Sequence, residues 1–129
     1  MKSRSIPRPT DAELGILRVL WEQGPSSVRQ VHIALKSQAP TGYTTALKLL
    51  QIMTEKGLVE RDESQRPQIY RPVLPREQTE RQLVRHLLDR AFGGSAQRLV
   101  MQALEVNQAS AEELAQIEKL LNKFEGGAK

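Results

Sequence analysis

Cysteine is absent from this 129-residue chain, histidine occurs twice, and aromatic residues make up only 4% of it. Each shortage removes a class of chemistry. Without cysteine there are no disulfides, no thiolate metal sites and no thiol nucleophile. His32 and His86 are too few for a zinc site, and neither has an acidic or hydroxyl partner at a spacing that suggests general-base work. Two Phe, two Tyr and one Trp make an aromatic-lined ligand pocket hard to build. Apolar runs never exceed three residues. Neither a membrane-spanning helix nor a signal-peptide core is therefore expected, and the sequence predicts a soluble, cytoplasmic protein. There is no glycine-rich loop closed by Lys-Ser or Lys-Thr and no Gly-x-Ser-x-Gly turn. The acidic pairs have structural explanations: Glu112-Glu113 opens a helix, where the dipole favours acids, and Asp62-Glu63 falls in a polar turn. No catalysis, cofactor or metal is expected.

The net charge of +4 is less informative than its distribution. Residues 1–73 hold 11 basic and 7 acidic side chains, whereas residues 74–129 hold 8 of each. A positive field confined to one half suggests that this half meets a polyanion and the other something neutral. The length points to one domain, or one with a short appended module, large enough to bury its own core.

The chain opens with Lys2, Arg4 and Arg8 among two prolines and, beyond Ile6, nothing apolar to pack. Residues 1–9 are read as a mobile basic arm. Thr10-Asp11-Ala12-Glu13 is a capping box, followed by Leu14, Leu17, Leu20 and Trp21 at helical spacing. Gly24-Pro25 ends that helix. Ser26-Ser27 offers the next cap, and Val28, Val31 and Leu35 form one apolar stripe. A third helix is predicted from Thr41 to Lys56, with Gly57 in the place of a left-handed C-terminal residue. On that helix Ala46, Leu49, Leu50 and Met53 share one side, and Thr44, Leu47, Lys48 and Gln51 lie on the other. The period then changes. Leu58–Arg61 and Gln68–Pro72 read as strands around a polar turn at 62–67. Three helices and a two-stranded hairpin over residues 10–73 form the pattern of a winged helix-turn-helix, whose third helix would enter a DNA groove.

The outward face of the third helix offers Tyr43, Thr44, Thr45, Lys48 and Gln51, with no acid until Glu55. Hydroxyls reach phosphates and bases, Gln can pair with adenine, and Lys can reach guanine or phosphate. The alternative is an ordinary solvated face. Arg66 at the wing tip and Arg4 and Arg8 on the arm add to the DNA reading. Arg29 and Lys36 on the second helix are read as surface charges, with phosphate contact the lesser alternative.

After Pro75 a long helix is predicted to Phe92, with Leu83, Val84, Leu87, Leu88 and Ala91 on one face. Gly93-Gly94 ends it, and Ser95 caps a helix carrying Leu99, Val100, Ala103 and Leu104. Ser110-Ala111-Glu112-Glu113 is a second capping box. Beyond it Leu114, Ile117, Leu121 and Phe124 repeat at the three-then-four spacing of paired helices. Residues 74–125 thus form a helical module and residues 126–129 a frayed tail. Such stripes must be buried. A module of about 50 residues is marginal alone. Packing against its copy in a second chain gives a two-fold dimer; folding back onto residues 10–73 is the monomeric alternative.

Together these segments resemble the penicillinase-repressor family, bacterial regulators that include the beta-lactamase and methicillin-resistance repressors, from Pro9 to Leu121. In the first half the likeness is carried by Thr10-Asp11-Ala12-Glu13-Leu14, Val19-Leu20-Trp21-Glu22, Gly24-Pro25 and Val28-Arg29-Gln30-Val31. Tyr43-Thr44-Thr45, Leu49-Leu50-Gln51, Glu55-Lys56-Gly57-Leu58-Val59, Tyr70-Arg71-Pro72, Arg76-Glu77 and Phe92-Gly93-Gly94-Ser95 complete it. The resemblance implies a homodimeric repressor that binds a dyad-symmetric operator in double-stranded DNA and blocks transcription. It places recognition at Thr41, Tyr43, Thr44, Thr45, Lys48 and Gln51, the wing at the turn holding Arg66, and dimerisation in the helices from Pro75 to Phe124. Leu87, Leu88, Leu114, Ile117, Leu121 and Phe124 are the expected dimer contacts.

The chain also departs from the family pattern. Copper-sensing members carry a cysteine-rich motif that a chain without cysteine lacks. Antibiotic-responsive members are cut at an Asn-Phe bond in the helix after the Gly-Gly. Gln102-Ala103 stands there, so release by a membrane sensor protease would use another bond or not occur. The wing reads Ser64-Gln65-Arg66-Pro67, without the glycine often found before its arginine. Two other functions stay open: a winged-helix protein-interaction module and a ligand-responsive regulator.

Overall fold

The structure, a computed structural model, describes residues 6–38 and 41–127. Its elements are α1 (Asp11–Gln23), α2 (Val28–Leu35), α3 (Tyr43–Lys56), β1 (Val59–Asp62), β2 (Ile69–Pro72), α4 (Arg76–Ala91), α5 (Ala96–Val106) and α6 (Ala111–Gly127). The chain divides into one compact unit up to Val84 and a second from Arg85 onward.

Local sequence accounts for most of the first unit. The Thr10 hydroxyl accepts from Glu13 N–H while the Glu13 carboxylate accepts from Thr10 N–H, closing the capping box of α1. Ser27 and Gln30 do the same for α2. Gly57 adopts φ 86°, ψ 14°, and Leu58 N–H reaches the Met53 carbonyl, so α3 stops in a left-handed turn only glycine takes without strain. Ile16, Leu17 and Leu20 of α1, Val31 of α2 and Ala46, Leu50 and Met53 of α3 converge with Leu58, Val59 and Tyr70 in one buried core. Each large aliphatic side chain in it contributes roughly 1.5–3 kcal/mol of transfer free energy.

Strands β1 and β2 pair antiparallel, Val59 opposite Pro72 and Asp62 opposite Ile69. A third, single-residue strand joins them: Ser26 and Tyr70 exchange both backbone hydrogen bonds, at 3.0 and 2.8 Å. This bridge ties the wing to the start of α2, and no local pattern marks Ser26 for it.

Four expectations are adjusted. First, α3 starts at Tyr43 rather than Thr41, because Gly42 is extended and caps the helix, its carbonyl accepting from Ala46 N–H. Second, Lys2 and Arg4 of the arm lie outside the described residues, but the part from Ile6 to Pro9 is anchored. Ile6 packs against the core, Pro9 is buried, and the Gln82 side-chain amide donates to the Ile6 carbonyl at 2.6 Å. Third, the division between units falls near Val84, inside α4, rather than between residues 73 and 74. Fourth, α6 extends to Gly127, into the stretch expected as a tail, while residues 128–129 lie outside the described residues.

The second unit is built differently. Gly93 and Gly94 have positive φ, Gly94 N–H reaches the Leu88 carbonyl, and the Ser95 hydroxyl caps α5 by accepting from Arg98 N–H. The Ser110 and Glu113 side chains form the capping box of α6. Beyond Thr79 none of the described residues is buried within the single chain.

Candidate nucleic-acid interface

The recognition face depends on how firmly α3 is held. Its inner side (Ala46, Leu50, Met53) is fully buried. Its last residue is anchored as well: Lys56 Nζ lies 2.7 Å from Glu13 Oε2, and the Glu13 side chain is only 2% exposed. Burial alone would push the Glu13 carboxyl up, but the hydrogen bond from Lys56, the Thr10 N–H and the Lys56 charge outweigh it and hold it below its usual value. The capping acid of α1 thus also fixes the C-terminal end of α3.

With the inner side buried, the outer side is presented to solvent. Thr44, Lys48 and Gln51 sit four and three residues apart and form one exposed stripe, with Thr45 exposed beside it. Among the described residues Lys48 makes no ion pair. Tyr43, the first residue of α3, is 48% exposed. Its ring and that of His32 on α2 meet edge to face, with centroids 5.9 Å apart and planes at 87°.

The wing stands beside this stripe. Tyr43 and Leu47 of α3, Ser27 and Arg29 at the start of α2, and Arg66 and Gln68 of the wing line one open cleft. Arg29, read from sequence chiefly as a surface charge, therefore shares a cleft with Arg66 and Tyr43. Its place depends on the Ser26–Tyr70 bridge, a long-range contact. The wing acids are occupied. Asp62 accepts from the Ser64 hydroxyl and N–H and the Gln65 amide, which hold its carboxyl down to about 2, and Glu63 pairs with Arg61 at 2.8 Å. Arg66 donates to the Glu63 carbonyl and curls the tip without a glycine. What remains is a basic and hydroxyl-bearing surface suited to a phosphate backbone and base edges.

One expected member of the set lies elsewhere. Thr41 stands ahead of α3, half-buried, and lines a different cleft with Asp11, Leu14, Arg18 and Leu49. Arg8 is exposed, and Ile6, two residues before it, lines a cleft with Thr54, Lys56 and Gly57 at the C-terminal end of α3. In the second unit Leu87, Leu114, Leu121 and Phe124 are exposed and Leu88 and Ile117 half-buried. Gln102 and Ala103 are exposed on α5, and the Ala103 carbonyl accepts from Asn107 N–H. No cluster of three or more metal-ligating side chains occurs among the described residues, and no helix is long and apolar enough to cross a membrane.

Three helices, a bridged hairpin and an outward third helix define a winged helix-turn-helix protein. Solved structures agree on the fold. A MarR family protein from Bacillus stearothermophilus superposes with a TM-score of 0.51 at 21% identity, over 95% of this chain and 76% of that one. The monomeric form of BlaI from Bacillus licheniformis, solved in complex with the blaP half-operator, gives 0.50 at 23% identity over 57% of this chain and 89% of that one. The family model for the penicillinase repressor matches residues 9–123. The transcriptional regulator BlaI of Mycobacterium tuberculosis is 31% identical over 124 residues, 95% of this chain and 88% of that protein. The penicillinase repressor of Bacillus licheniformis is 23% identical over 126 residues, 98% of each. The chain belongs to the penicillinase repressor family.

Proposed function

We propose that this chain is a DNA-binding transcriptional repressor, acting in the cytoplasm as a homodimer on a dyad-symmetric operator. The reading rests on the exposed stripe of α3 beside a wing whose acids are occupied. Thr44, Thr45, Lys48 and Gln51 read or position the major groove, with Tyr43 at its edge. Arg66 and Arg29 neutralise phosphates, and Arg8 supplies further positive charge. Thr41 is left out because it is half-buried ahead of the helix. The family membership and a relative bound to its half-operator support the same reading.

Dimerisation follows from exposed apolar surface. Leu121 is 57% and Phe124 66% exposed in a single chain, and Leu87, Leu88, Leu114 and Ile117 extend the same chemistry. Exposed apolar stripes of this kind mark an interaction site, and a second copy supplies a self-complementary partner. Two recognition helices then require half-sites about 34 Å apart, one turn of the duplex, or a multiple of it. Release by a membrane sensor protease cutting at Gln102–Ala103 would require α5 to unwind locally, since that peptide lies within a hydrogen-bonded helix.

The decisive experiment is a gel shift of the purified chain on DNA upstream of its own gene, with scrambled duplex as competitor. A preference of about a thousandfold or more is expected for specific recognition. Equal binding to both duplexes would remove the repressor reading and favour a protein-interaction role.

A further inference from the structure

We infer that Arg29, His32 and Lys36 form a basic ridge on α2 that lies along the phosphate backbone beside the groove read by α3. This deepens the repressor reading above and rests on it for the presence of DNA. Arg29 and His32 stand three residues apart and His32 and Lys36 four, so the three line one side of α2, next to its buried stripe of Val28, Val31 and Leu35. Arg29 and Lys36 are exposed and His32 is half-buried. Two contacts set this side next to the start of α3: Arg29 shares a cleft with Tyr43 and Arg66, and the His32 ring meets the Tyr43 ring. From Arg29 to Lys36 the ridge spans about 10 Å, enough to follow consecutive phosphates of one strand.

Among the described residues nothing neutralises this ridge. α2 contains no acidic residue, and none of the three side chains pairs with a carboxylate. The acids of the neighbouring elements are engaged or elsewhere. α1 packs on α2, but Glu13 is paired with Lys56, Glu22 with Arg76, and Asp11 and Arg18 line the cleft that holds Thr41. α3 brings Tyr43 against the imidazole and carries Lys48 on its outer side; its one acid, Glu55, lies more than three turns beyond Tyr43. The wing contributes Arg66, since Asp62 and Glu63 are occupied. Two features of the ridge oppose stability in the chain alone. Arg29 stands in the first turn of α2, where the helix dipole disfavours a cation, and like charges three and four residues apart repel. A phosphate backbone relieves both.

The histidine gives the ridge a signature. Imidazole is the side chain that ordinarily changes charge between about pH 5 and 8, and an anion beside it favours the charged form. DNA on the ridge therefore draws a proton onto His32, and by reciprocity that proton tightens DNA binding. Affinity rises as pH falls.

The test uses the full chain, the single variants Lys36→Gln and His32→Gln, and fluorescence anisotropy on two duplexes. One is the duplex that the wild-type chain recovers from a random-sequence pool, and the other is scrambled. The ridge touches phosphates only, so both duplexes should report it. Lys36→Gln should make the slope of log affinity against log salt shallower by about 0.9 per bound chain. Between about pH 8 and about pH 5.5 at fixed salt, wild type should tighten about tenfold per bound chain and His32→Gln less than about twofold. At the higher pH the two should agree within about threefold. An unaltered salt slope, a pH response that survives in His32→Gln, or a loss in His32→Gln that is equal at both pH values overturns the ridge. A wild-type chain that recovers no common sequence overturns the repressor reading instead, and the scrambled duplex then still decides the ridge. A chain that binds neither duplex overturns both.

Discussion

Glu13 is buried, yet it accepts from the Thr10 N–H and pairs with Lys56, so its charge is satisfied from two elements. Its carboxyl is held below its ordinary value, so the pair stabilises the fold at neutral pH. That contribution is present above the unfolded pKa near 4.5 and is lost as pH falls through the depressed folded value. Lys56→Met leaves a buried carboxylate with one partner fewer. It should cost about 1–3 kcal/mol at pH 7, and urea unfolding should show the gap to wild type narrowing toward pH 3. A gap that is constant with pH would mean the ion pair is not what the substitution removes. At the interface, Lys48 has no ion-pair partner to lose within the described residues, so Lys48→Ala should leave the fold intact. Operator binding should weaken by about 1–3 kcal/mol, measured by gel shift at physiological salt; unchanged binding would displace the reading face from α3.

Elements show the same economy. α3 is held by its buried inner side, by Lys56 at its last turn and by the glycine stop at Gly57, which leaves its outer stripe free for a partner. α6 lacks such anchoring: it is capped by Ser110 and Glu113, yet Leu114, Leu121 and Phe124 face solvent in the single chain. A charge on that face is inexpensive in a monomer and costly in a dimer seam. Leu121→Asp should therefore keep its helical circular dichroism while sedimentation gives half the wild-type mass. An unchanged mass would remove α6 from the interface.

At the scale of the molecule, the excess positive charge sits in residues 1–73, the stretch that carries the wing and α3. Association with DNA should thus fall steeply with salt, the logarithm of affinity dropping by about 0.9 per phosphate neutralised for each unit of log salt. Arg66→Ala, present twice in a dimer, should make that slope shallower by about 2 in a fluorescence-anisotropy salt titration. An unaltered slope would show that the Arg66 guanidinium stays on the Glu63 carbonyl and never reaches the backbone.

Much of this was legible from the chain alone, because much of it is local. The capping boxes at Thr10 and Ser110, the stop at Gly57 and the stripe of Ala46, Leu50 and Met53 are decided by residues within four or five positions of one another. The stripe of Thr44, Lys48 and Gln51 was equally plain, since a helix that buries one side must expose the other. Long-range pairings left no such trace. Nothing near Ser26 announces a bridge to Tyr70, and nothing near Glu13 announces Lys56, 43 residues away. Ile6 stands as the lone apolar side chain among residues 2–9, and nothing near it announces Gln82, whose amide holds its carbonyl from 76 residues further along. Periodicity and capping report the backbone's nearest neighbours, and those fixed the elements and the face of α3. Which elements touch depends on three-dimensional packing of side chains distant in sequence, and that packing gathered Arg29 with Arg66 and carried the edge of the winged-helix unit into α4.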